Sequence, residues 1–262
     1  MTYHSLLYAA DGSGLATITM NRPEVRNAFN AEMIAELTAA FSQANSDNRI
    51  NVILLNASGA HFSAGADLNW MKSMADMSFA ENVADANNLA TLMRTIDQST
   101  KPTIARVNGA AFGGALGLIA CCDIAIADLE AKFCLSEVKL GLVPAVISPY
   151  VIRAIGPRNA GRYFLTAETF DADTAANMGL IHQIAETSEL NKKLKRIINQ
   201  LLCNGPNAVK TAKTLVRRVS ESELDENLTQ FTAELIARVR VSEEGQEGLA
   251  AFLEKRNPIW NK

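Results

Sequence analysis

Residues 108–123 read NGAAFGGALGLIACCD. The segment before them, KPTIARV at 101–107, carries β-branched Thr103, Ile104 and Val107 and predicts a strand. A small-residue turn, Ala110-Ala111-Phe112-Gly113-Gly114, leads into an apolar helical run that stops at Asp123. Glycines at a strand-to-helix turn let the backbone approach a ligand closely. The free N–H groups of the first helical turn then carry positive partial charge toward it. Such a helix start suits a phosphate, or an oxygen that becomes negative during a reaction. Three other readings compete. A membrane span needs about 20 apolar residues, and the uncharged run is shorter. A dinucleotide fingerprint wants G-x-G-x-x-G, and Phe112 stands where its first glycine belongs. A buried core helix with glycines for close packing stays open at this point.

The chain has 262 residues, 48% hydrophobic and 20% charged, with net charge −3. That is the balance of an ordinary globule large enough for a sizeable core. There is no basic footprint for general nucleic-acid binding. The start, MTYHSLLYAADGSG, has neither a secretory h-region nor an Arg-rich transit pattern. Cys121, Cys122, Cys134 and Cys203 form no C-x-x-C pair and no metal spacing with His4, His61 or His182. Reduced thiols in a cytoplasmic protein without a metal are expected.

Working outward, residues 6–10 and 15–20 predict a hairpin around Asp11-Gly12-Ser13-Gly14. Asn30 suits the cap of a helix over 31–45, with Met33, Ile34, Leu37, Ala40 and Phe41 at helical spacing. Residues 52–55 predict a buried strand. A second glycine turn, GAHFSAGADLNW at 59–70, precedes a methionine-bearing helix over 67–77 and another over 82–98. Strands are expected at 124–127, 133–137 and 180–184, with a loop over 139–149. Helices are expected from Pro157 to Leu165 and after Asp171. Everything from 189 onward reads as helix. The organisation is α/β over 1–188, then an all-helical region over 189–262. The apolar Leu224, Leu228, Phe231, Leu235, Ile236 and Val239 need a partner surface there.

Neither a G-x-S-x-G elbow nor a P-loop occurs, and the histidines lie far apart. Two glycine turns after buried strands remain, with Glu137 in the apolar setting FCLSEV at 133–138. A carboxyl among apolar neighbours has a raised pKa and suits acid–base work. A surface Glu137, or one paired with Lys132 or Lys139, is the plainer alternative. Together these parts suggest carbonyl chemistry: two amides on an oxygen and one carboxylate moving a proton.

Asn21-Arg22-Pro23-Glu24 with Asn27-Ala28-Phe29, FSAGADL at 62–68, Val107-Asn108-Gly109 through Gly114, Cys122-Asp123-Ile124, residues 137–144 and the tail FLEKR at 252–256 resemble, in order, the crotonase family of enoyl-CoA hydratases and isomerases. The resemblance covers essentially the whole chain. It implies a crotonase-like spiral of ββα units with a C-terminal helical trimerisation region, assembled as a homotrimer or a dimer of trimers. It implies an acyl-CoA thioester as substrate and no separate cofactor. Carried over by position, the N–H groups of Ala66 and Gly114 form an oxyanion hole, and Glu137 is the acid/base. Val25, Arg26, Ala64, Asp67 and Leu68 would lie along the CoA. Trp70, Met71, Met74, Phe112, Gly113, Val143, Pro144 and Ile147 would lie around the acyl chain. Phe252 and Lys255 match tail positions that reach a neighbour's CoA.

One departure stands out. Family hydratases usually carry two glutamates, and the first of those positions is Gly117 here. Single-glutamate members include Δ3,Δ2-enoyl-CoA isomerases. In contrast, SAGADLNWMK at 63–72, ACCDIAIA at 120–127 and residues 136–150 look most like bacterial methylglutaconyl-CoA hydratases of leucine breakdown. Hydration is therefore the expected activity, with isomerisation as the alternative. A CoA-ester binder without catalysis, or an RNA-binding relative, would come from another class. A distal carboxylate on the acyl chain would call for a cation, with Lys72 and Arg94 as candidates.

Overall fold

A computed structural model describes residues 2–261. Strands β1 (Leu6–Ala10) and β2 (Leu15–Met20) form the expected hairpin, Leu6 opposite Met20. Ala16, Ile18 and Met20 alternate into the core. The Asn30 side chain accepts from Met33 N–H and starts α1 (Ala31–Ser46), whose apolar stripe is buried. Parallel strand β3 (Val52–Ala57) follows, then α2 (Leu68–Met74) and α3 (Phe79–Asp97). A reciprocal Ser78–Glu81 capping box starts α3 earlier than expected. Next come β4 (Thr103–Val107), β5 (Ala110–Phe112), α4 (Gly114–Cys121), β6 (Ile124–Asp128) and β7 (Lys132–Cys134).

Helix α5 (Ser148–Thr166) is broken at Gly156, whose φ of 75° is left-handed, so Pro157 opens only its second half. This corrects two expectations, a loop to residue 149 and a helix beginning at 157. Pro149 in the first turn allows the earlier start. After β8 (Phe170–Asp171), Asp171 caps α6 (Ala172–Asn177). Strand β9 (Gln183–Ala185) begins later than expected, because Leu180 and Ile181 still donate to Ala175 O around the turn. The chain closes with α7 (Thr187–Leu202), α8 (Pro206–Ser220), α9 (Glu226–Val241) and α10 (Glu243–Glu254).

The main sheet runs β1-β2-β3-β4-β6-β9, parallel from β2 onward. One face packs on α1, α3, α4 and α5 through a core holding Met20, Phe41 and Phe62. Each such side chain contributes about 1.5–3 kcal/mol. The other face is covered by α7, where Leu190, Leu194, Ile197 and Ile198 meet Val52, Leu54, Ile104 and Ile126. Helix α7, most of which was expected to belong to the helical region over 189–262, thus covers the second face of this sheet. Lys213 on α8 pairs with Asp123 at 2.7 Å and fixes the tail to the end of α4. A small second sheet, β5-β7-β8, was not foreseen. Its first strand is the stretch expected to be only a turn.

Candidate active site

Both glycine turns are built on the second sheet. After β3, Phe62 N–H donates to Asn108 O at 2.7 Å and Ser63 N–H to Ala110 O at 3.0 Å. Phe112 N–H returns a bond to Ser63 O at 3.0 Å, so residues 62–66 run beside β5. Gly65 (φ 93°) and Gly113 (φ 54°) are both left-handed. A Cβ on Gly65 would lie 3.2 Å from Phe112 O and 4.0 Å from Gly113 N. Only glycine permits this approach. The peptides carrying the Ala66 and Gly114 N–H groups are therefore neighbours.

Around Ala66 the bonds bracket the residue: Phe29 N–H donates to Gly65 O and Asp67 N–H to Phe29 O. Among the described residues no acceptor takes Ala66 N–H itself. Gly114 is the first residue of α4, where an N–H has no partner within the helix. Two neighbouring amides are thus left to bind something from outside.

Glu137 completes the group. Sequence placed it at the end of an extended piece over 133–137. The strand instead stops at Cys134, and Glu137 opens a 3-10 turn, Glu137–Leu140, closed by left-handed Gly141. That turn aims the carboxyl inward: a Cβ on Gly113 would stand 3.3 Å from Glu137 Oε1. Oε2 is buried without a hydrogen-bond partner among the described residues. Burial raises the pKa of this carboxyl, offset in part by a bond from its own N–H. Lys132 and Lys139 form no ion pair with it among the described residues.

One turn further along α4 from Gly113, Gly117 is enclosed. A Cβ there would lie 2.3 Å from Ile147 Cγ2, 2.8 Å from Ile147 Cβ and 3.0 Å from Met93 Sδ.

Comparison with known proteins now bears on this geometry. Residues 10–262 match the family model described as enoyl-CoA hydratase/isomerase. This chain belongs to the enoyl-CoA hydratase/isomerase family. The crystal structure of an enoyl-CoA hydratase from Shewanella pealeana is 50% identical with a TM-score of 0.94, covering 98% of this chain and 96% of that one. A crotonyl-CoA hydratase of Syntrophomonas wolfei is 31% identical over 98% of this chain and 97% of its own length. A trans-2-decenoyl-[acyl-carrier-protein] isomerase of Streptococcus mutans is also 31% identical, covering 98% of each. The crotonase-type fold expected from the sequence is present, with its helical C-terminal region.

Other expected site residues of this family member fall into groups. Ala64 N–H donates to Arg26 O at 2.9 Å, which joins half-buried Ala64 to exposed Arg26, with exposed Val25 adjacent, in one rim. Leu68 is exposed beside it. Asp67 requires correction as a substrate group. Its Oδ1 accepts from Asn69 N–H at 2.8 Å and Trp70 N–H at 3.4 Å as the cap of α2, and Oδ2 takes Arg22 at 3.0 Å. Burial pulls its pKa up, yet those hydrogen bonds and the Arg22 charge hold it below the usual carboxylate value. Phe112, Met71 and Trp70 are half-buried and Pro144 is buried. Trp70 Nε1 is a buried donor with no partner among the described residues.

Val143 is 69% exposed, so it walls no closed pocket within this chain. Lys72 and Arg94 are exposed as well, and neither is a buried cation. Phe252, at 82% exposure, stands on α10 and Lys255 is its left-handed C-cap; both are exposed, with nothing among the described residues covering them. His61 and His182 accept from Ala110 N–H and Ala125 N–H through Nδ1, which are structural duties. Arg22 was quoted from the sequence as part of a family motif and given no partner, and Met93 was given no role beyond its place in the helix expected over 82–98. Nothing local marks either residue, because each acquires its role from a distant segment.

Proposed function

We propose that this family member hydrates an enoyl-CoA thioester, with Glu137 as its proton carrier. The observation that carries the reading is the buried, unpaired Glu137 Oε2 beside the Gly113 turn. The thioester oxygen sits between Ala66 N–H and Gly114 N–H. Glu137 takes a proton from water as the hydroxide oxygen bonds to Cβ. The π electron pair of the Cα=Cβ double bond moves toward the thioester carbonyl, giving an enolate whose oxygen the two amides stabilise. Loss of one such donor costs about 3 kcal/mol of barrier. Glu137, now neutral, returns the proton to Cα and is regenerated. Coenzyme A enters as part of the substrate. The rim of Val25, Arg26, Ala64 and Leu68 faces its adenine and pantetheine, and the Arg26 guanidinium meets a phosphate.

For the acyl group, a methylglutaconyl chain is the finer reading. Its support is the likeness of residues 63–72, 120–127 and 136–150 to that subgroup, together with the spare Trp70 N–H, a fitting donor for a distal oxygen. A homotrimer or dimer of trimers is supported by exposed Leu224, Val241 and Leu253 on the tail. There Phe252 and Lys255 would reach a neighbour's CoA. Δ3,Δ2-Isomerisation is the second reading, favoured by the closed Gly117 position.

Turnover against a panel of 2-enoyl- and 3-enoyl-CoA thioesters, methylglutaconyl-CoA among them, tests the proposal. Glu137→Gln should abolish turnover while CoA-ester binding persists. Near-normal turnover by that variant would refute it.

A further inference from the structure

Gly114 and Gly117 stand one turn apart on the same side of α4, and their surroundings differ sharply. A Cβ on Gly114 would meet only the edge of the Phe29 ring, at 3.5 Å, an ordinary contact. A Cβ on Gly117 would collide with Ile147 Cβ as well as Cγ2. Turning the Ile147 side chain about χ1 moves Cγ2 but leaves Cβ in place, so a rotamer change gives no relief. Its backbone is also fixed, because Ile147 O accepts from both Tyr150 N–H and Val151 N–H, each at 3.1 Å, as α5 begins. Behind it Met93 on α3 is fully buried and touches Cys121 through sulfur at 3.8 Å. Helix α3, through Met93, and the cap of α5, through Ile147, thus close on one glycine of α4.

We infer that Ile147, backed by Met93, is a specificity-determining plug that limits this site to a single carboxylate. The inference rests on the acyl-CoA reading above and deepens it. Within one turn of α4 the lining changes from the Glu137 carboxyl to hydrocarbon. A side chain at 117 that activates a second water, or holds a second proton, has no space. Every proton that leaves water or the acyl chain therefore passes through Glu137. Water reaches Cβ only from the Glu137 side, and the face at Ile147 stays dry. The partition between water addition and double-bond migration is then set at Ile147 rather than at the acid/base itself.

The test pairs melting temperature with product partition in Gly117→Ala, Gly117→Glu, Ile147→Ala and the two double variants. Gly117→Ala and Gly117→Glu alone should lower Tm markedly, and adding Ile147→Ala should recover part of that loss. Ile147→Ala should raise hydration relative to isomerisation, and Gly117→Glu with Ile147→Ala should raise it by about 10²-fold, the low end of what one added acid/base group contributes. A wild-type Tm for Gly117→Glu alone, or no recovery of Gly117→Ala by Ile147→Ala, would overturn the plug. So would a folded Gly117→Glu, Ile147→Ala protein with unchanged partition. Absence of turnover in the wild type on every enoyl-CoA counts against the activity proposed above, whereas the Tm comparison reads the plug without any substrate.

Discussion

Asp67 follows the glycine turn that runs beside β5 and Glu137 follows β7, and each has its carboxyl turned away from solvent, yet their chemistry diverges. Asp67 spends both oxygens inside the protein, on two N–H groups of α2 and on Arg22. Its pKa falls although burial opposes this. Glu137 keeps Oε2 unpaired, and burial prevails, so its pKa rises. Burial alone does not make a carboxyl reactive. What matters is whether its charged form has been given partners.

The sharpest way to break this contrast is to neutralise each carboxyl in turn. Glu137→Gln should lower kcat by about 10²–10⁴-fold, the usual worth of a positioned acid/base. Asp67→Asn should leave kcat within about tenfold, since it removes no proton carrier. Steady-state rates on one enoyl-CoA decide it, and equal losses would erase the distinction.

Stability should reverse the order. Asp67→Ala removes a helix cap and leaves Arg22 unpaired, at a cost of about 1–3 kcal/mol in urea unfolding. The Asp67 contribution is present above the carboxyl's unfolded pKa and is lost as pH falls through the lower folded value. Glu137 has the opposite sign. Between its unfolded pKa and its raised folded pKa the unfolded chain releases the proton first, so rising pH weakens the fold. Glu137→Gln should therefore show a small Tm gain at neutral pH that disappears in acid. A loss at neutral pH would contradict this.

The smallest effect is on the pH profile. As a base Glu137 must be ionised, so kcat/KM should rise with pH through an apparent pKa above the ordinary carboxylate value. An acid limb at or below that value would mean that the carboxyl is solvated in the working enzyme.

Much of this was legible in the chain. The alternation at Ala16, Ile18 and Met20, the Asn30 and Asp171 caps and the stripe on α1 are local signals, and each appears in the structure where the pattern put it. The misplaced pieces were those whose partners lie far off in sequence. Strand β5 exists because Ser63 and Lys132–Cys134 flank it, and three residues of AAF carry no strand signal of their own. The break at Gly156 and the 3-10 turn at Glu137 are likewise short features in which neighbouring segments outweigh propensity.

By itself the sequence determined the family, most strands and helices of the main sheet and its layers, and the two glycine turns that expose amides, because these depend on residue type and spacing along the chain. Only the tertiary structure decided that Asp67 is paired while Glu137 is not, and that Gly117 faces Ile147 rather than open space. Those outcomes depend on groups tens of residues apart meeting within a few ångströms, a distance that no local pattern encodes.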